Sequence, residues 1–136
     1  MKDRYLYRAK RTDNGEWVKG YYTYYPNGFT SEDKMEHAIR DTFTSVDSHK
    51  LYFVDPSTIC QCTGLKDKNG KLIWENDIVA GWFDDKRITG YIMYGSNAIF
   101  FINRNGLYGI HLDNSQDWLE VIGNIFDNPE LLEVGE

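Results

Sequence analysis

Short runs rich in aromatic and aliphatic residues recur along this chain, and residues that turn a backbone cut them at short intervals. Tyr5 to Arg11, "YLYRAKR", and Glu16 to Tyr25, "EWVKGYYTYY", flank Asp13-Asn14-Gly15, which predicts a hairpin. Pro26-Asn27-Gly28 ends the second run, because proline has no N–H for a sheet ladder. Lys50 to Val54 reads as a further strand and Asp55-Pro56-Ser57 as a turn. Strands then follow at Asp77–Trp82, Arg87–Tyr94, Ala98–Asn103, Leu107–Leu112 and Trp118–Ile125, with turns at Asp84-Asp85-Lys86, Gly95-Ser96-Asn97 and Asn103–Gly106. Asn-Gly occurs four times, at Asn14, Asn27, Asn69 and Asn105, and suits type I′ turns because both residues accept positive φ.

Residues Thr30 to Thr42 carry two patterns. Met35, Ala38, Ile39 and Thr42 recur at helical spacing behind Thr30 or Ser31 as N-cap, while Met35, His37 and Ile39 alternate. The expectation there is a short helix or loop leading into a strand. "DNPELL" near the C-terminus predicts one helical turn, with Asn128 as N-cap, Pro129 at the first helical position and Glu130 suiting the dipole. Leu131 and Leu132 are expected to dock on the β structure.

Together these elements predict a mainly β fold: antiparallel hairpins forming a barrel or sandwich, with a short C-terminal helical turn. The 136 residues suit one compact unit, with a possible division into 1–57 and 58–136. The longest apolar runs, Ile78–Phe83 and Ala98–Ile102, are far shorter than the roughly 20 residues of a membrane span. Met1 to Arg11 is polar and charged, so the expected location is cytoplasmic, with no membrane partner.

The net charge of −6 opposes general nucleic-acid binding, which rewards excess positive charge. The charge is also uneven. Lys2, Arg4, Arg8, Lys10, Arg11 and Lys19 crowd the first twenty residues, whereas nothing after Arg104 is Lys or Arg. That last segment holds Asp113, Asp117, Glu120, Asp127, Glu130, Glu133 and Glu136. The plain reading is a solvated acidic surface; the sharper one is attraction between head and tail, within one chain or between subunits.

Candidate chemistry is sparse. Cys60 and Cys62 would share one strand face, but zinc would need two more ligands at suitable spacing, and His37, His49 and His111 form no paired motif. Reduced thiols are the expectation. A calcium loop around Asp67-Lys68-Asn69-Gly70 would place Leu65 at the first ligand position and Asn76 where the bidentate Glu belongs, so a turn fits better. Glu75, Asp77, Asp84 and Asp85 are the densest acidic group, with turn and surface roles expected and a metal-dependent hydrolase as the enzymatic alternative. In Tyr21-Tyr22-Thr23-Tyr24-Tyr25, a strand would put Tyr22 and Tyr24 on one face. They could pack as core and ordinary surface, meet a protein partner, or stack bases with help from Arg8, Lys10 and Lys19. No catalytic, cofactor-binding or metal-ligating set is assigned, and no cofactor is expected.

"TGLKDKNGKLIWENDIV" resembles the signature of the YopX family, small proteins encoded mainly by phages and prophages. Thr63, Gly64, Leu65, Asp67, Asn69, Gly70, Glu75, Asp77, Ile78 and Val79 match; Asn76 stands where glycine is common and Cys62 where an aromatic is. Val54–Thr58 resembles the family's lead-in, Val121–Leu132 its C-terminal box, and Tyr7-Arg8-Ala9 with Trp17-Val18-Lys19-Gly20 its N-terminal pattern. Thr30 to Lys50 is least covered. The resemblance implies a β-rich fold with an SH3-like barrel or roll, an N-terminal β subdomain, and self-association. The expected function is thus non-enzymatic, through contacts with a second copy or with a host or phage protein; single-strand nucleic-acid binding is the alternative.

Overall fold

The structure is a computed structural model and describes residues 5–26, 35–40, 51–95, 99–104, 107–112 and 114–132. Among the described residues there are eleven strands and one short helix: β1 Tyr7–Lys10, β2 Trp17–Pro26, β3 Met35–Arg40, β4 Leu51–Phe53, β5 Cys60–Lys66, β6 Leu72–Trp74, β7 Asp77–Phe83, β8 Lys86–Tyr94, β9 Phe100–Arg104, β10 Leu107–His111, α1 Ser115–Trp118 and β11 Glu120–Asn124. Pro56–Thr58 and Pro129–Leu132 are 3-10 turns. The strands form two antiparallel sheets, of order β4-β3-β2-β1-β5-β6 and β10-β9-β8-β7-β11. The mainly β, antiparallel expectation holds. The five-stranded sheet has β10 and β11 as edges and is not closed.

The chain divides into two compact units, Met1–Gln61 and Cys62–Glu136. In the first, β4, β3, β2 and β1 form a meander, and β1 also pairs with Cys60 and Gln61. Its core is Ala9, Ile39 and Val54, with Tyr7, Val18 and Ile59 packed around them. Val54–Thr58 fastens the chain back to β1. Asp55 N–H donates to the Lys10 carbonyl at 2.9 Å, Lys10 N–H donates to Thr58 Oγ1 at 2.9 Å, and the Asp55 carboxylate caps the 3-10 turn by accepting from Ser57 N–H.

The second unit buries Ile73, Val79, Ile88, Ile92, Ile102, Leu112 and Leu119, with Phe100, Ile110, Trp118 and Val121 at the margin. The β8 run alternates buried Ile88, Gly90 and Ile92 with more accessible neighbours, as a half-buried strand should. Gly81, Gly90 and Gly109 lie inside strands at close approaches. A Cβ on Gly81 would sit 2.5 Å from the Trp118 carbonyl oxygen, so any side chain there displaces α1.

Several local expectations need correction. Met35–Arg40 is a strand, paired with both β2 and β4, so alternation prevails over helical spacing; burying Ala38 and Ile39 between two ladders outweighs local propensity. Trp118 belongs to α1 rather than to the last strand, which begins at Glu120. Asn128 does stand at the N-cap position of the final turn, its carbonyl accepting from Leu131 N–H at 3.0 Å, while its Oδ1 accepts from Asn124 N–H at 3.2 Å. Leu131 is half-buried and Leu132 exposed.

The Asn-Gly pairs are turns of another kind. Of Asn14-Gly15 and Asn69-Gly70, only the glycines have positive φ, 75° and 81°. These are loops of four and three residues, respectively, each closed by a left-handed glycine, not two-residue type I′ turns. The pair with positive φ at both residues is Asp84 (49°) and Asp85 (65°), between β7 and β8. Asn27-Gly28, Asn105-Gly106, Ser96-Asn97 and His49 lie outside the described residues.

Candidate functional site

The patterned segment from Thr63 to Val79 is the first place to look for chemistry, and the side chains of Thr63, Asp67 and Asp77 are engaged with backbone. Thr63 Oγ1 donates to the Ile73 carbonyl at 2.7 Å and accepts from Leu65 N–H at 3.0 Å. Gly64 has φ of 81°, and the ladder shifts register between Cys62 and Lys66, so Thr-Gly-Leu forms a bulge that a Cβ-bearing residue would strain.

Asp67 is 2% exposed. Its Oδ1 accepts from Asn69 N–H and Lys71 N–H, each at 2.9 Å, and its Oδ2 accepts from Val121 N–H at 2.9 Å. Burial pushes this carboxyl toward neutrality, but the N–H groups of Val121, Lys71 and Asn69, with the Lys71 charge, prevail and hold it below its ordinary value. One carboxylate thus shapes the hairpin tip and fastens it to β11. Lys68 N–H donates to the Leu119 carbonyl and Ser115 Oγ to the Lys66 carbonyl, which reinforces the attachment.

The end of the motif is similar. Asn76 has φ of 71°, the conformation expected of an asparagine standing in for glycine, and its N–H donates to the Ile92 carbonyl. Asp77 is 1% exposed and accepts from Trp74 N–H at 2.8 Å. The acidic group therefore does not converge. Asp77 opens β7 and Asp84-Asp85 follow its end, roughly 20 Å away along a strand. Among the described residues no group of three or more His, Cys, Asp or Glu could hold a metal ion. Cys60 and Cys62 are both fully buried, unbridged thiols, with Cys60 Sγ 3.2 Å from the Thr58 carbonyl oxygen.

The surface aromatics of the first unit are arranged differently. Directly opposed residues of an antiparallel pair share a face. Tyr22 opposes Ile39, Tyr24 opposes His37, and Tyr7 opposes Gly20, two residues before Tyr22. Tyr7, Tyr22, Tyr24 and His37 thus lie on the face that carries buried Ile39 and Ala9. The His37 ring stacks against Tyr24 at 4.9 Å and Tyr22 at 5.8 Å, Tyr22 OH and His37 Nδ1 hydrogen-bond, and Tyr7 meets Tyr22 at 5.6 Å. Partial burial, then the phenols of Tyr24 and Tyr7, raise the Tyr22 hydroxyl above its usual pKa. Yet Tyr22 remains 37% and Tyr24 54% exposed.

The other face is basic. Arg8 opposes Lys19, Lys10 opposes Trp17 and Tyr21 opposes Arg40. The Arg8 guanidinium lies 4.9 Å and the Lys10 ammonium 5.4 Å from the Trp17 ring centre. Sequence proximity had grouped these cations with Tyr22 and Tyr24; strand alternation puts them on opposite sides.

In the second unit Trp82 and Phe83 are exposed at the end of β7, where Phe83 meets Trp118 at 5.4 Å. They border an open concavity of about 700 Å³ that Arg104 and His111 also line. Trp82 and Phe83 belonged to an apolar run in the sequence, and nothing there marked them as exposed.

A two-sheet antiparallel β protein, with its signature polar motif built into the fold, is the class this geometry defines. The family model described as "YopX protein" matches residues 6–133, and the chain belongs to that family. A solved structure, the crystal structure of protein EF1440 from Enterococcus faecalis, is similar at 29% identity and a TM-score of 0.55, covering 93% of this chain and 96% of that one. No curated protein matches the chain.

Proposed function

We propose that this is a non-enzymatic protein of phage or prophage origin, acting in the cytoplasm through protein–protein contacts that include self-association, with Tyr22, Tyr24 and His37 at the contact surface. The second unit is read as an SH3-like roll. The observation that carries the proposal is the stacked ring set: His37 lies within 5.8 Å of both tyrosines, on a face continuous with buried Ile39 and Ala9. Rings held this way lose little side-chain freedom on docking, and exposed tyrosine is a favoured interface anchor. The signature carboxylates Asp67 and Asp77 support the non-enzymatic reading, because both accept backbone N–H groups.

Light scattering on the wild type and on Tyr22→Ser/Tyr24→Ser tests the contact surface. The wild type is expected to assemble, and the double variant to weaken assembly by about 2 kcal/mol or more with an unchanged circular dichroism spectrum. A wild-type monomer, or an assembly indifferent to the substitutions, removes the proposal.

A further inference from the structure

The edge of a β-sheet presents N–H and C=O groups that pair with another strand unless they are shielded. Among the described residues, β4, β6, β10 and β11 are edges. β4 and β6 are only three residues long. β11 is covered by the hairpin tip: Val121 N–H donates to Asp67 Oδ2, and the carbonyl of Leu119, just before the strand, accepts from Lys68 N–H. β10 is the exception. It runs five residues, holds no Lys, Arg, Asp, Glu or Pro, and pairs with β9 alone.

The neighbouring ladder shows which β10 groups point outward. Gly95 N–H donates to the Ile99 carbonyl, so Phe101 aims its N–H and C=O at β8 and Ile102 aims its own at β10. Ile110 opposes Ile102 and is therefore bonded to β9. His111 turns its N–H and C=O outward, and strand alternation carries Gly109 the same way. The ladder with β9 shifts register between Leu107 and Ile110, so the regular end of β10 is the one that carries His111.

A concavity flanks this edge on each side. One, of about 530 Å³, is lined by Tyr94, Ile99, Phe101 and His111 among others; the other has Ile110 in its wall and is bordered by Trp82 and Phe83. Tyr94, Ile99, Trp82 and Phe83 are exposed. A strand added beside β10 sends alternate side chains to the two sides.

Charge and shape select the occupant. The chain's own terminal residues 133–136 would bring two glutamates to a strand without Lys or Arg. A second β10 brings no carboxylate and complements the first. In an antiparallel pair centred on Ile110, His111 of each copy falls opposite Gly109 of the other. Gly109 sets no side chain against the imidazole, and the Phe101 ring, 2.5 Å from where a Cβ would be, lies ready for it to pack on.

We propose that β10 pairs antiparallel with β10 of a second copy about a twofold axis through Ile110, joining two five-stranded sheets edge to edge. The proposal rests on the self-association reading only in taking another copy as the partner; it does not use the tyrosine face.

The test is a crosslink at the axis. In Ile110→Cys the two new thiols oppose each other with Cα atoms about 4.5 Å apart, and oxidised glutathione should join them in a disulfide while being reduced to two thiols. In His111→Cys the strand offset sets them about 8 Å apart, too far to bridge. Cys60 and Cys62 are buried and stay out of the reaction. His111→Pro removes the outward N–H without touching the β9 ladder, and should raise the dimer Kd about tenfold or more by sedimentation. In the wild type, exchange of the His111 amide should speed up on dilution through that Kd. No disulfide in Ile110→Cys, an equal yield in His111→Cys, or a His111 amide that exchanges alike at every dilution, as when the chain's own segment covers the edge, overturns the proposal. If Tyr22→Ser/Tyr24→Ser disperses the assembly and Ile110→Cys gives no crosslink, the β10 pairing alone fails; if the crosslink forms and the tyrosine pair changes nothing, the tyrosine contact alone fails.

Discussion

Asp67 illustrates how a side chain suggestive of metal binding becomes a structural fastener. It accepts three N–H hydrogen bonds, from Asn69, Lys71 and Val121, while almost wholly buried. Replacing it by alanine leaves three donors without that acceptor. Asp67→Ala should therefore lower stability by about 2–4 kcal/mol, read from the urea midpoint. The pH dependence has a defined sign. The folded-state carboxyl lies below its ordinary value of 3.8, so its contribution is complete above that value and is lost as pH falls through the lower folded-state value. The gap between wild type and Asp67→Ala should be constant near neutrality and narrow in strong acid. A gap that widens on acidification contradicts the assignment.

The two cysteines make a second residue-scale point. Cys60 and Cys62 are fully buried thiols within β5. Native protein should resist a thiol reagent, with both thiols reacting in step with denaturant unfolding, since burial blocks access to the thiolate. Rapid native labelling of either would show that β5 is not seated as described.

Among the elements, the β7–β8 turn invites redesign. Asp84 and Asp85 both occupy positive φ, where Asn-Gly is a preferred pair and an Asp in the second position suits the turn less well than Gly. Asp84→Asn/Asp85→Gly should raise stability by about 0.5–1 kcal/mol, measured by thermal melting. A lower melting temperature would mean that these aspartates do more than turn the chain. The sequence reported that a turn occurs here but not its class, because class depends on how many residues separate the last ladder pairs. For the same reason Asn14-Gly15 and Asn69-Gly70 were recognisable as turns while their geometry was not. Met35–Arg40 was ambiguous because a short run fits two periods, and only the ladders on both sides decide between them. The sequence continues its last strand pattern through Trp118, because the position of α1 depends on Gly81 admitting it.

At the scale of the whole molecule, the sequence by itself determined most of the strands, the positions of the turns, the structural reading of Thr63–Val79, the match of Asn76 to a glycine position and the family. These follow from local chemistry: aromatic and β-branched residues favour extended backbone, and Gly, Asn and Asp accept the conformations that reverse it. Among the described residues no helix is long and apolar enough to cross a membrane, in keeping with the short apolar runs. Which side of each strand meets which neighbour was decided only in three dimensions. That decision separated Arg8, Lys10 and Lys19 from Tyr22 and Tyr24, dispersed Asp77, Asp84 and Asp85, and brought Asp67 to the N–H of Val121, 54 residues away. The physical reason is that a strand alternates its faces at every residue, so a neighbour in sequence is a neighbour in space only after the register of pairing has been set.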